Sequence, residues 1–141
     1  MGVRVVPARA AEVVSSNIVG YNKVTLNQGY NMLAVQFAKV GGAAQSIQEV
    51  FTGNLPDMGF DSATDEPIWN AKFQTWNGGG FDTYYWTGST GNDIFGEEGW
   101  NNVWVVGQYG QGGIADVTIN VGDPFFIWIS SGTGVVATFT K

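Results

Sequence analysis

Glycine and asparagine cut this chain into pieces too short for ordinary helices. Asn27-Gln28-Gly29, Gly53-Asn54, Asn77-Gly78-Gly79-Gly80 and Gly110-Gln111-Gly112-Gly113 punctuate it, and the runs between them are rich in Val, Ile, Thr and aromatic residues. Glycine supplies the positive φ that tight hairpin turns need, so runs of this kind flanking such turns read as strands. Residues 24–26 and 32–37 are expected to form one hairpin and residues 68–76 and 81–87 a second. Further strands are expected at 47–51, 102–108, 116–121, 125–130 and 135–140, with polar loops at 55–67 and 88–99. That is about nine or ten short strands spaced every 8 to 12 residues or so, the pattern of a single antiparallel β-sandwich or barrel. No segment sustains a helical period.

The chain has 141 residues, with 44% hydrophobic and 13% charged, so it can bury a real core as one domain. It contains no His and no Cys. Imidazole bases, thiolate nucleophiles, Cys or His zinc sites and redox disulfides are thereby excluded. No apolar run reaches the length of a membrane span, which argues against membrane insertion. The net charge of −6 and pI of 4.2 argue against nucleic acid, whose phosphates need a basic surface.

Charge is unevenly placed. From residue 73 to 140 there are acids (Asp82, Asp93, Glu97, Glu98, Asp116, Asp123) and no base, whereas Arg4 and Arg9 make the first ten residues the basic stretch. Residues 1–14 therefore read as an extended, valine-rich N-terminal arm ahead of a β domain at 15–141. Ala8-Arg9-Ala10 has the small-x-small form of a secretory cleavage site, without the apolar segment that should precede it. The arm can fold back on its own domain or lie on a neighbouring subunit. In the second case Val3, Arg4, Val5, Val6, Arg9, Val13 and Val14 are the expected assembly residues, drawn to an anionic body.

Two segments echo each other: Val24-Thr25-Leu26-Asn27-Gln28-Gly29 and Val117-Thr118-Ile119-Asn120-Val121-Gly122. Either turn chemistry recurs by chance or the domain holds two equivalent hairpins, one near each end. Gly29-Tyr30-Asn31-Met32-Leu33 and Val121-Gly122-Asp123-Pro124-Phe125-Phe126-Ile127-Trp128-Ile129 lie beside these echoes, and Ile68-Trp69-Asn70 and Tyr84-Tyr85-Trp86 lie between. In these motifs the chain resembles a β-rich module of bacterial secreted and surface proteins. That module opens with a Gly-Trp-Asn-Leu hairpin and closes with a Pro-Gly-x-Gly-Tyr-Trp-Ile hairpin. Tyr30 stands where the module has Trp, and Pro124 where it usually has Gly. The resemblance spans about residues 16–140 and implies an extracellular or cell-surface all-β module with no general catalytic residues.

Aromatic residues concentrate between Trp69 and Trp104. Strand parity places Trp69, Ala71, Phe73 and Thr75 on one face and Lys72, Gln74 and Trp76 on the other. In the next strand, Phe81, Thr83 and Tyr85 are expected in the core and Asp82, Tyr84 and Trp86 on a half-wet face. Flat rings among amides and carboxylates suit sugars, which makes Trp76, Tyr84, Trp86 and Trp100 the carbohydrate-binding candidates. The same residue types dominate protein interfaces and cores. Asp57, Asp61, Asp65 and Glu66 in one loop, and Asp93, Glu97 and Glu98 in another, are oxygen-rich enough for calcium but lack EF-hand spacing; solvated loops without a cofactor are the simpler expectation.

No acid pair stands out as a glycosidase dyad and no Lys sits in a serine-nucleophile motif, so an enzyme is not expected. Two readings remain. The first is a structural subunit that assembles with itself into an extracellular fibre, tube or shell through arm or strand exchange and aromatic contacts. The alternative is a carbohydrate-binding module that holds a polysaccharide on surface Trp and Tyr.

Overall fold

The computed structural model describes residues 2, 21–36, 41–50, 52–53, 55–96 and 98–140. The arm residues Val3, Arg4, Val5, Val6, Arg9, Val13 and Val14 lie outside the described residues. The fold is all-β and sandwich-like, with no closed barrel among the described residues.

Five strands make the main antiparallel sheet: β1 (Tyr21–Ala34), β6 (Ala71–Trp76), β7 (Phe81–Trp86), β8 (Trp104–Val106) and β10 (Pro124–Thr140), in the order β1-β10-β6-β7-β8. The short β3 (Thr52–Gly53) pairs with the far end of β10. Two ribbons stand apart, β2 (Gln45–Ser46) with β9 (Thr118–Ile119) and β4 (Gly59–Asp61) with β5 (Glu66–Ile68). Helical pieces are α1 (Ile47–Val50), a 3-10 turn at Gly88–Thr90 and α2 (Gly91–Phe95).

The β6–β7 hairpin forms as the sequence implies. The Asn77 N–H donates to the Gly80 carbonyl at 3.0 Å, and its side-chain oxygen accepts from the N–H groups of Gly79 and Gly80 at 3.0 and 2.9 Å. This closed turn pairs Trp76 with Phe81 and so sets the parity of β7. Directly opposed residues share a face. Tyr84 therefore lies beside Phe73 in the core, and Thr83 and Tyr85 lie beside Gln74 and Lys72 on the outer face. The expected faces of β7 are thus exchanged: rings occur at both parities, so alternation alone could not choose, and the turn decides.

Several other expectations are corrected by long-range pairing. The hairpin expected at 24–26 and 32–37 does not form over the described residues; β1 runs straight through Tyr21–Ala34 and pairs with β10, with register shifts beside Asn27 and Gly29 as a bulge. Gly29 sits there at φ 93°, and Gly122 at φ 86° ends the other echo, which leads from β9 into β10. The two echoes share a glycine conformation but are not equivalent hairpins, because β9 pairs with β2. The opening and closing motifs instead face each other, with Gly29 to Leu33 opposite Ile129 to Phe125. At 47–50 the expected strand is a single helical turn that directs Ile47 and Val50 inward. The loop at 55–67 contains the β4–β5 ribbon, in which Pro67 is tolerated because the ribbon has free edges.

One face of the main sheet carries the core. Leu26, Ala71, Phe73, Tyr84, Trp86, Trp104, Phe125, Ile127 and Ile129 pack there against Ile47, Val50, Leu55, Ala115 and Ile119 from the short elements above them. Phe73 is at the centre, stacked on Phe125 at 4.7 Å and edge-on to Trp104 at 5.5 Å. Phe73→Ala is expected to lower stability by about 3–5 kcal/mol in urea denaturation. Phe126→Ala, on the other face, should cost roughly half of that or less in the monomer.

Candidate interaction face

The outer face of the same sheet is also aromatic. β10 is apolar at both parities: Phe125, Ile127 and Ile129 point into the core, and Phe126 and Trp128 point away from it. Strand pairing arranges the outward side chains in rows. Tyr30, Trp128, Lys72 and Tyr85 form one row, and Met32, Phe126, Gln74 and Thr83 the next. Ala34 with Pro124, and Trp76 with Phe81, complete a third. With strands about 4.8 Å apart and rows roughly 6.7 Å apart, the grid is some 15 Å on a side.

Much of this surface is open to solvent. Tyr30 is 66% exposed, Met32 71%, Trp76 60% and Phe81 50%. Tyr30, Gln74, Phe81 and Phe126 line a shallow hollow of about 280 Å³. The rings stand edge to face: Tyr30 on Phe126 at 90°, Phe81 on Phe126 at 83° and Trp76 on Phe81 at 69°. Lys72 is the charged residue of the grid, and its ammonium sits 4.7 Å from the Trp128 ring and 5.9 Å from that of Tyr85. Gln74 donates to the Thr83 hydroxyl at 2.9 Å, so the polar centre of the grid is internally bonded.

The four carbohydrate candidates are dispersed by the fold. Trp76 is on the open face, but Tyr84 (8% exposed) and Trp86 (4%) are core residues and present no ring to a ligand. Trp100 is half-buried beyond the sheet, edge-on to Phe95 at 5.0 Å and pressed on Gly110, where a Cβ would come within 2.4 Å of its ring. Trp69 links that cluster to the grid through Tyr85 at 4.9 Å and Phe95 at 6.1 Å. Tyr30, Met32, Phe126 and Trp128 enter the sequence reading only as members of the two motifs, and Phe81 as an expected core residue, which its 50% exposure corrects; the unbroken apolar run at 125–129 is the signal that points to this face.

Three of the loop acids accept from different donors. The Asp57 carboxylate accepts from both the N–H and the hydroxyl of Ser89, and Glu66 accepts from the Tyr109 hydroxyl at 3.1 Å. Asp61 accepts from the Ala63 N–H at 2.8 Å, a bond that holds its carboxyl below the usual carboxylate range. Among the described residues no three acidic, His or Cys side chains gather where a metal ion could sit, and no helix is long and apolar enough to cross a membrane.

Comparison of the chain with protein-family models, curated proteins and solved structures returns no match.

Burial, and secondarily the Asp82 carboxylate, raises the Tyr84 phenol above its ordinary value of 10.0. The unfolded chain then loses this proton at a lower pH than the folded one, so stability falls as pH rises beyond about 10. Tyr84→Phe should remove part of that decline, read as a shallower loss of urea midpoint between neutral and strongly alkaline pH than in the unaltered protein.

Proposed function

We propose that this protein is a non-enzymatic structural subunit that assembles with itself into an extracellular fibre, tube or shell. The observation that carries the reading is the open aromatic face of the main sheet. In a sandwich each sheet buries one face and turns polar residues outward on the other, and monomers rarely leave a large contiguous apolar patch in water. Trp, Tyr, Phe and Met are the side chains enriched in interface cores. Residues 1–14 enter the same reading as an exchangeable arm, on the strength of their valines and their charge opposite to the body. The extracellular or cell-surface placement rests on the resemblance carried by the motifs at 29–33 and 121–129.

Ring geometry favours a protein occupant over a polysaccharide. A sugar lies flat on a ring face, whereas these rings meet at 69° to 90° and offer ridges and hollows that fit another side-chain surface. The carbohydrate-binding alternative keeps Trp76 and Trp100 as its accessible rings and lacks a common plane for them.

Sedimentation and negative-stain imaging test the proposal. The intact protein is expected to form large particles, and the paired change Trp76→Asp with Phe81→Asp is expected to reduce them to small species with an unchanged far-UV spectrum. An intact protein that stays monomeric at high concentration contradicts it. Retention on a polysaccharide gel that Trp76→Ala abolishes, without any change in particle size, would support the carbohydrate alternative instead.

A further inference from the structure

The two edges of the main sheet differ. At β8 the edge is consumed by the chain itself. The Trp104 carbonyl accepts from the Ala115 N–H and the Gln48 side chain, both at 2.8 Å, and the Trp104 N–H donates to the Gln48 oxygen at 2.8 Å. Val106 is bonded on both its main-chain groups to Gly112 and Gly113 at 3.0 and 2.9 Å. At β1, by contrast, β10 occupies one side, and among the described residues no strand meets the other.

The phase of that open edge can be read from its end. Val35 donates to the Asp123 carbonyl at 3.3 Å and accepts from the Gly122 N–H at 2.9 Å, so its main chain faces β10. In an antiparallel ladder the orientation alternates, which turns the main-chain N–H and C=O groups of Ala34, Met32 and Tyr30 outward. Pro124, which has no N–H to give, lies opposite Ala34 and agrees with this phase. The stretch is bounded at one end by Val35 and at the other by Asn27, whose N–H and carbonyl are both taken by the Asn31 side chain at 2.9 and 2.8 Å. Within Tyr30–Ala34 β1 has no Pro and no charged residue; its bulge at Asn27–Gly29 and its one charge, Lys23, lie beyond this stretch.

We propose that β1 pairs antiparallel with β1 of a second copy about a two-fold axis through Met32. This rests on the self-assembly reading above and names one of its contacts. Because among the described residues β1 offers an open edge and β8 does not, strand addition between identical copies brings that edge to itself, an isologous contact. Met32 then faces Met32 of the second copy, and Tyr30 faces Ala34 of the second copy, a large side chain beside a small one. Each of these pairs exchanges both its main-chain hydrogen bonds. Two bodies of charge −6 repel, but they meet here along Tyr30–Ala34, a strip without Asp, Glu, Lys or Arg. The pairing sets the two aromatic faces side by side. A second, face-to-face contact of different symmetry would make the assembly an open filament rather than a closed dimer.

The chain has no cysteine, which allows a direct test. Met32→Cys places a single thiol on the axis, where paired Cα atoms lie about 5.5 Å apart, inside the window of roughly 4.4–6.8 Å that a disulfide spans. Under mild oxidation of dilute protein, a covalent dimer is expected to form far faster than for Thr118→Cys, an exposed control on β9. Equal rates overturn the proposal. Met32→Lys, whose side chain points to solvent, is expected to break the large particles of the intact protein into small species with unchanged far-UV circular dichroism. Sedimentation like that of the unaltered protein overturns it as well. Preferred cross-linking of Met32→Cys to Val5→Cys in a mixture would assign this edge to residues 1–14, overturning the contact while leaving self-assembly standing. A disulfide dimer of the Met32→Cys variant that never grows further would keep the contact and remove the polymer.

Discussion

The fold and its proposed role both depend on residues 125–129 of β10, which are apolar at every position and occupy the second place in the sheet order. A strand hydrophobic at both parities is at home when both of its faces are covered. Among the described residues only one of them is covered. Phe125, Ile127 and Ile129 are sealed under Ile47, Val50, Ile119 and their neighbours, while Phe126 and Trp128 look out from the middle of an aromatic grid. The surrounding strands repeat the arrangement, with Phe73 inward and Trp76 outward on β6, and Trp86 inward and Phe81 outward on β7.

Assembly is a natural response to such an imbalance. Burying apolar area contributes roughly 25 cal/mol per Å², so covering a few hundred Å² of ring surface can offset the entropy lost when two bodies associate only if the rings pack well. The edge-to-face geometry of Tyr30, Phe126, Phe81 and Trp76 provides relief for such packing. Lys72, held over Trp128 and Tyr85, keeps a cation within an aromatic surrounding in a chain of net negative charge. The sealed β8 edge limits strand addition to the opposite side of the sheet, so aromatic burial and edge pairing act in different directions.

Local features of the fold were legible in the sequence, and non-local ones were not. The Asn77 turn, the β6–β7 hairpin and the inward set Ala71 and Phe73 follow from short-range chemistry and are present. Pairing β1 with β10 joins residues about a hundred positions apart, and nothing in the turn-like Asn27-Gln28-Gly29 announces it; the same atoms that favour a turn also serve a bulge. Tyr84 and Trp86 were misplaced because a strand with rings at both parities carries no internal vote on which face is buried. The turn at one end and Phe73 across the hairpin decide it. The helical turn at Ile47–Val50 was missed because four residues with two β-branched side chains fit either conformation.

Hydroxyl-radical footprinting across a concentration series tests the central claim most directly, since Met, Trp, Tyr and Phe side chains report their own exposure. Oxidation of Tyr30, Met32, Trp76 and Phe81 should fall together as protein concentration rises, while Tyr109, exposed but outside these rows, should stay constant. Rates at these four residues that do not change with concentration would contradict an outer face built to meet another copy.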